Sequence, residues 1–193
     1  MTTTARGRAT RERIVGAAAE LVAERGSAGT SLDDVIVRAG ASKSQLYHYF
    51  EDRDALLRAV VDRNADLVLG GLPALDGWTA IRSWFDSVVE LQRARGACGG
   101  CSIGSLVGQF AEADEAARLA LADAFARWEA HLRAGLRTMQ ARGKLAAEAD
   151  VDALATATLA LLQGGLLLTQ TTRDPGRLET ALAAAYELLR CNT

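Results

Sequence analysis

The most informative part of this 193-residue chain runs Ala39-Gly-Ala-Ser-Lys-Ser-Gln-Leu-Tyr-His-Tyr-Phe50. Ser42, followed three positions later by Gln45, forms a capping box and predicts the start of a short helix. Gly40 is predicted to end the preceding helix as a left-handed C-cap residue. Two short helices joined by Gly40-Ala41 have the spacing of a helix-turn-helix motif.

Two more helices are predicted before this stretch. Apolar residues at helical spacing predict one from near Thr10 to a stop at Gly26. Ser31 is placed to cap the second, with Asp34 at its third helical position. The first 50 residues hold seven basic and five acidic residues, whereas the other 143 hold fifteen and nineteen. The first part is therefore net basic and the rest net acidic, as expected of a nucleic-acid-binding head on an acidic body.

The residues at the start of the third helix are small, polar or basic, which suits a helix entering the major groove. Hydroxyl and amide groups reach phosphates and base edges, lysine neutralises phosphate, and a helix N-terminus favours anions. Tyr47 and His48 follow one turn later, within reach of the same groove walls. The structural alternative for Tyr47 and Phe50 is core packing, which we expect for Phe50 and not for Tyr47.

Residues 11–57 resemble the DNA-binding domain of the TetR-type (TetR/AcrR) bacterial transcriptional regulators. The matching residues are Gly26, Thr30-Ser31, Ala39-Gly40-Ala41-Ser42, Leu46-Tyr47-His48-Tyr49-Phe50, and Arg53 before Leu56-Leu57. Two positions depart from the family pattern: Val35-Ile36 replaces the usual Ile-Ala pair, and Ser44 replaces a common glycine. The first is a packing change, and the second adds a hydroxyl at a DNA-facing position that would alter which operator is read.

The resemblance implies a two-fold symmetric homodimer on a pseudo-palindromic, double-stranded DNA operator, with the third helices in successive major grooves. By position, phosphates would be held mostly by Thr30, Ser31, Tyr47, His48 and Arg53. The expected base readers are Lys43, Ser44 and Gln45, in a helix capped by Ser42. Near the N-terminus, either a flexible basic arm or a solvated tail would contain Arg6, Arg8 and Arg11.

The whole chain is predicted to be all-α, with about nine helices. It contains only two prolines, and strand-forming residues never alternate with polar ones. We expect a three-helix, helix-turn-helix DNA-binding head in residues 1–50. Residues 51–193 would form a larger helical domain for effector binding and dimerisation.

The segment Ala153–Thr172 is twenty residues long without a charge, but threonines, glutamines and the pair Gly164-Gly165 interrupt it. It is therefore predicted to be a buried helix of a soluble protein rather than a membrane span. The glycine pair would let another helix approach closely. Because a monomer would expose a large apolar patch, we expect a homodimer. The resemblance implies that the last two helices form its interface.

The resemblance also implies a ligand cavity in the second domain. Candidate lining residues are apolar, with a cysteine and two amides: Trp84, Phe85, Val88, Cys101, Leu106, Phe110, Phe125, Trp128, Gln163 and Gln170. For each of them, ordinary core packing is the competing interpretation. Since no charged residue stands out, the expected effector is small and uncharged or hydrophobic.

Cys98 and Cys101 suggest a second mode of regulation. Thiols at helix N-termini are often reactive, and Cys101 directly precedes a predicted helix, so the pair suggests a redox or electrophile switch. Some TetR-type repressors use a cysteine in this region. Packing as a small apolar side chain is the alternative. A zinc site is not expected, because only His131 and Cys191 could complete it.

The leading hypothesis is a ligand-responsive repressor, with a thiol-based repressor as the alternative. An enzyme is not expected, because neither His48 nor His131 has an evident catalytic or metal partner. A helical carrier without DNA binding is a third possibility. No cofactor or metal is expected, and the N-terminus shows no apolar stretch typical of a signal peptide, so we expect a cytoplasmic protein.

Overall fold

The structure, a computed structural model, describes residues 4–112 and 114–193. Over these residues the chain forms nine α-helices and no strand, which confirms the predicted all-α fold. The helices are α1 (Ala5–Arg25), α2 (Leu32–Ala39), α3 (Lys43–Tyr49), α4 (Arg53–Gly70), α5 (Trp78–Ala94), α6 (Gly104–Phe110), α7 (Glu115–Ala141), α8 (Val151–Thr172) and α9 (Gly176–Arg190).

Helix α1 begins earlier than the sequence predicts. Thr4 is its N-cap residue, and the Thr4 hydroxyl accepts a hydrogen bond from the Gly7 N–H at 3.2 Å. Arg6 and Arg8 therefore lie within the helix, and neither alternative, a flexible basic arm or a solvated tail, describes these two residues. The physical reason is the threonine cap, which satisfies an N–H group that the helix itself leaves unpaired.

The chain divides into two compact units. The first contains the residues up to Val68 together with Leu106–Ala124, and the second contains Leu69–Ser105 together with Phe125–Thr193. The predicted domain boundary at residue 50 falls inside the first unit. The unit extends further because α4 buries one side of its length, including Leu56, Leu57 and Val60.

The core of the first unit brings α1, α2 and α3 together. Ile14 and Leu21 on α1, Val35 on α2 and Leu46 on α3 are almost completely buried. Gly40 adopts φ 58° and ψ 38°, so the predicted left-handed C-cap between α2 and α3 is confirmed. This turn fixes the direction in which α3 leaves the core.

Helices α8 and α9 pack closely in the second unit. A Cβ atom placed on Gly165 would lie 2.9 Å from the Cδ1 atom of Leu178 and 2.9 Å from the Cβ atom of Ala181. The Thr169 hydroxyl accepts a hydrogen bond from the Leu178 N–H at 3.1 Å. Of the predicted glycine pair, Gly165 permits this contact, while a Cβ atom on Gly164 would meet open space.

By length and composition, α8 is apolar enough to cross a membrane, and it is the only such helix among the described residues. One face of α8 is buried in its own chain, including Leu162 and Leu166. The opposite face is exposed and still apolar, with Leu167 at 64% and Leu168 at 52% exposure. The helix is thus a core element on one face and an uncovered apolar surface on the other.

Candidate nucleic-acid interface and regulatory core

Helix α3 begins with the capping box that the sequence predicts. The Ser42 hydroxyl accepts a hydrogen bond from the Gln45 N–H at 3.1 Å, and Gln45 Oε1 accepts one from the Ser42 N–H at 2.9 Å. The helix ends at Tyr49, and Phe50 follows in an extended conformation. A helix of only two turns thus has a firmly defined start.

One face of α3 is buried, and the rest is open to solvent. Leu46 on α3 and Phe50, directly after the end of the helix, lie in the core at 0% and 3% exposure. Tyr47, by contrast, is 48% exposed, as predicted. The exposed side chains are the predicted DNA-reading set, namely Lys43, Ser44, Gln45, Tyr47 and His48.

Helix α2 begins with a second capping box. The Ser31 hydroxyl accepts from the Asp34 N–H at 3.1 Å and donates to Asp34 Oδ2 at 2.7 Å. The hydrogen bond from the Ser31 hydroxyl lowers the pKa of Asp34 below its ordinary value, and the Ser31 N–H adds to this effect. Ser31 is exposed at the tip of this helix, where a phosphate contact is predicted.

Two residues predicted to contact phosphate also make internal hydrogen bonds. Thr30 is buried, and its hydroxyl donates to the Gly26 carbonyl at 2.9 Å. Arg53 is half-buried, and its Nη2 atom donates to the Ser27 carbonyl. Both side chains therefore stabilise the turn between α1 and α2 rather than stand open to solvent. The position of a residue in a family sequence pattern does not show whether its side chain contacts phosphate or stabilises the turn.

Arg38 is a surface cation whose ion pairs link two helices of the DNA-binding head. Its guanidinium contacts Glu24 at 3.0 Å and Glu20 at 3.3 Å, linking α2 to α1. The hydrogen bond from Arg38 lowers the pKa of Glu24, and Glu24 in turn raises the pKa of Arg38. Lys43 on α3, in contrast, projects into solvent.

Sequence reasoning missed Gln109, on α6. Gln109 Oε1 accepts a hydrogen bond at 2.7 Å from the N–H of Ser27, in the turn between α1 and α2. No local sequence pattern marks this residue, because its partner lies 82 positions away and is a backbone group.

The predicted pocket residues are divided between the two compact units. Leu106 and Phe110 belong to the first compact unit, and the other eight belong to the second. Within the second unit, Trp84, Phe85, Cys101 and Trp128 are buried, whereas the remaining four are partly exposed: Val88, Phe125, Gln163 and Gln170. A void of about 10 Å³ next to Trp84 and Phe85 is too small for an effector. A larger open groove of about 380 Å³ lies between α5 and α9, and Phe85 lines it as well.

Glutamine side chains pack against the glycine-rich loop before α6. A Cβ atom on Gly104 would lie 2.7 Å from Gln163 Oε1, and one on Gly100 would lie 2.4 Å from Gln170 Oε1. Gln92, which the sequence analysis missed, is only 2% exposed and reaches the Gly100 carbonyl at 3.5 Å. Within the described residues, Gln92 Oε1 and Gln163 Nε2 are buried without a hydrogen-bond partner.

All three cysteines are free thiols. Cys98 is exposed, while Cys101 is buried and its Sγ atom accepts a hydrogen bond from the Gly104 N–H at 3.3 Å. Cys101 thus lies three residues before the start of α6. Across residues 4–112 and 114–193, no group of three or more histidine, cysteine or carboxylate side chains is placed to hold a metal ion.

Comparison with known proteins identifies the class to which this fold and exposed helix belong. Residues 14–60 match the family model described as bacterial regulatory proteins, tetR family. Residues 77–185 match the model of the Tetracyclin repressor-like, C-terminal domain. The chain therefore belongs to the TetR family and is a DNA-binding transcriptional regulator.

Similar proteins cover nearly the whole chain. An HTH-type transcriptional regulator from the lacX 3′ region of Lactococcus lactis is 27% identical over 90% of this chain and 89% of its own length. The HTH-type transcriptional repressor DhaR from Mycobacterium sp. is 21% identical over 95% and 93%. The structure of Escherichia coli NemR in its reduced form superposes with a TM-score of 0.82 at 22% identity, covering 93% of this chain and 97% of that one. At this identity the structural likeness establishes the fold alone.

Proposed function

We propose that the protein is a ligand-responsive repressor that binds a palindromic operator and is released by a small, uncharged or hydrophobic effector. The observation that carries this proposal is the exposed polar face of α3. A capping box fixes the start of this helix, and buried Leu46 anchors its other face in the core. Such a face matches the donors and acceptors in the major groove. This role places the protein in the cytoplasm, with the DNA.

The residues of the interface divide by their chemistry. Lys43, Ser44 and Gln45 extend from the first turn of α3 and are the proposed base readers. The proposed phosphate contacts are Ser31, Tyr47 and His48, all of which are exposed. Because Gln45 uses Oε1 to cap the helix, its Nε2 group is the part available to a base acceptor.

The proposed homodimer uses the exposed apolar face of α8 with α9. Residues that recur at helical spacing along this face of α8 are exposed, including Ala160, Gly164, Leu167, Leu168 and Thr171. A contiguous apolar face of this kind is typical of a protein–protein interface. A second copy that covers it would present two α3 helices to successive major grooves of a palindrome.

The effector is proposed to bind in the second unit near Trp84, Phe85 and Trp128. Since the void there is about 10 Å³, binding requires these side chains to move apart. The unpaired amide atoms of Gln92 and Gln163 offer polar contacts in a region without a buried charge. Release of DNA would follow from preferential binding of the effector to a conformation that fits the operator poorly.

The test of DNA binding is selection of genomic fragments by the purified protein at low salt. Enrichment of a palindrome, with an affinity that falls steeply as salt rises, supports the repressor proposal. Absence of any enriched fragment contradicts it and favours a helical carrier. Replacing Lys43, Ser44 and Gln45 together with alanine is expected to abolish the enrichment, while alanine at the exposed Glu148 serves as the control.

A second candidate function, a thiol-based repressor, has its own supporting observation. Cys101 lies three residues before α6, and its sulfur accepts a hydrogen bond from the Gly104 N–H at 3.3 Å. Cys98 is exposed and reachable by an oxidant. If hydrogen peroxide releases the wild-type protein from DNA and Cys101→Ser abolishes the release, the thiol mechanism is favoured. Cys191→Ser, at an exposed thiol far along the chain, is the matched control.

A further inference from the structure

Ser27, in the turn between α1 and α2, has both backbone hydrogen-bonding groups held by side chains from other helices. Its N–H donates to Gln109 Oε1 at 2.7 Å, and its carbonyl accepts from Arg53 Nη2. Gln109 comes from α6 and Arg53 from α4. The turn is therefore held at one residue by side chains from two helices outside the helix-turn-helix motif.

The turn requires glycine at two positions and is closed by a side-chain hydrogen bond. Gly26 has φ +75°, and a Cβ atom at this position would lie 3.7 Å from Gln109 Oε1. A Cβ atom at Gly29 would lie 2.6 Å from the Arg25 carbonyl oxygen. The Thr30 hydroxyl closes the turn by donating to the Gly26 carbonyl at 2.9 Å. A side chain that moves Ser27 therefore moves the turn as a whole.

The turn leads directly into the N-terminus of α2. The Thr30 N–H donates to the Ser27 carbonyl at 3.2 Å, and the next residue, Ser31, caps the helix. The position of Ser27 thus determines where this helix end and its proposed phosphate contact lie. A displacement there would lengthen hydrogen bonds to DNA, which lose strength steeply with distance and angle.

Gln109 is itself held in place by its neighbours. Leu106 and Phe110, on the same helix, are each 3% exposed in the core of the first unit. Asp114, just beyond the helix, lies 4.0 Å from Arg58 of α4 and caps α7 through the Ala117 N–H at 3.0 Å. The amide of Gln109 is therefore a fixed acceptor to which the turn is attached.

We propose that Gln109 is a positioning residue for operator binding, acting through the N–H of Ser27. The inference rests on the proposed function, and it extends that function by placing a determinant of DNA affinity 59 positions beyond Phe50, outside the residues that touch DNA. It also gives α6 a defined role, since this helix begins three residues after Cys101 and carries Gln109 near its end.

The test compares two substitutions of Gln109 in the full-length protein on the palindromic duplex recovered by genomic selection. Gln109→Leu has a similar size but no acceptor, so operator affinity is expected to fall about threefold to tenfold, the effect of one hydrogen bond. Gln109→Glu keeps an acceptor at the same position and is expected to stay within about twofold of wild type. Amide hydrogen exchange at Ser27 should accelerate in Gln109→Leu and remain slow in Gln109→Glu.

Gln140→Leu is the matched control, because Gln140 donates to the Ala146, Ala147 and Ala149 carbonyls within the second unit. It is expected to lower the free energy of unfolding without changing operator affinity. If Gln109→Leu binds the operator as tightly as wild type does, the positioning role is overturned while the proposed function stands. If both Gln109 variants weaken binding equally, the acceptor is not responsible, and the proposal is also overturned. A wild-type protein that enriches no duplex overturns both.

Discussion

Ser42 and Gln45 cap one another at the start of α3. The serine hydroxyl accepts from the glutamine N–H at 3.1 Å, and the glutamine Oε1 accepts from the serine N–H at 2.9 Å. The pair satisfies two backbone groups that a two-turn helix cannot satisfy internally. Gln45 is also a proposed base reader, so the same side chain would contribute both to the stability of α3 and to DNA recognition.

Replacing Ser42 with alanine is expected to lower the free energy of unfolding by about 1 kcal/mol, the usual loss for an N-cap serine. Operator affinity should fall as well, because the first turn of α3 frays and Gln45 loses its fixed orientation. Urea denaturation followed by circular dichroism measures the first effect, and titration of the selected duplex measures the second.

Ser44→Ala is the control for this prediction. Ser44 is exposed two residues after the N-cap, so its loss should change stability by less than about 0.5 kcal/mol. It should nevertheless alter which operator sequences are preferred, because Ser44 is a proposed base reader. Equal losses of stability in the two variants would contradict the capping argument.

Stability in acid is expected to depend on Asp34. The hydrogen bonds from Ser31 lower the pKa of Asp34 below its ordinary value of 3.8, so the folded state favours the ionised carboxylate. This contribution is fully present above that ordinary value and is lost as the pH falls through the lower, folded pKa. Asp34→Asn should therefore destabilise the protein near pH 5, and the difference from wild type should shrink towards about pH 3.

Urea unfolding of both proteins across this pH range measures the difference. Ser31→Ala removes the hydroxyl donor at 2.7 Å and should make the difference depend less on pH, while the backbone N–H at position 31 still donates to Asp34. A difference between wild type and Asp34→Asn that grows as the pH falls would contradict the assigned direction of the pKa change.

The helices could be predicted from the sequence because their signals are local. Ser31 and Ser42 each precede a partner three positions later, and Gly40 supplies a left-handed C-cap, so each signal lies within a few residues of the structure that it predicts. The exposure of Tyr47 and the burial of Phe50 follow from the single buried face of a short helix.

The features that could not be predicted depend on distant contacts. Thr30 and Arg53 match a family pattern, but their hydrogen bonds to Gly26 and Ser27 appear only when the turn is folded. Gln109 meets Ser27 across 82 residues, and nothing around either residue marks the pair. The pocket stays a prediction, because aromatic residues at helical spacing fill a core as readily as they line a cavity.

Gly164 and Gly165 are adjacent, yet replacing each of them with alanine should change the stability of the protein in opposite directions. At Gly165 the new Cβ atom would lie 2.9 Å from Leu178 Cδ1 and from Ala181 Cβ, so α8 and α9 must separate. We expect Gly165→Ala to cost about 1–3 kcal/mol of folding free energy, as overpacking does. At Gly164 nothing lies within 4 Å, and alanine should stabilise the helix itself by up to about 1 kcal/mol.

Thermal denaturation of the two variants at low protein concentration measures this contrast. A loss of stability at Gly164 that appears only at high protein concentration would indicate a second copy packed against that face. Similar losses at both glycines under dilute conditions would contradict the assignment of Gly165 alone to the contact between α8 and α9.

Leu168 tests the proposed homodimer most directly. Its side chain is 52% exposed on the apolar face of α8, and a charge buried in an interface there would be left without a partner. Leu168→Glu is therefore expected to shift the protein from dimer to monomer at micromolar concentration while the fold remains intact, since the residue faces solvent within one chain. Sedimentation velocity measures the shift, and circular dichroism verifies the helix content.

Leu91→Glu provides the matched control, since Leu91 is also an exposed leucine on a helix, at 46% exposure on α5. It should leave the sedimentation coefficient unchanged. The monomeric Leu168→Glu protein should also lose most of its affinity for the palindrome, because one head contacts only one half-site. A variant that remains dimeric and binds DNA normally would exclude this face of α8 from the interface, whereas a monomer that still binds the full palindrome tightly would contradict recognition by paired α3 helices.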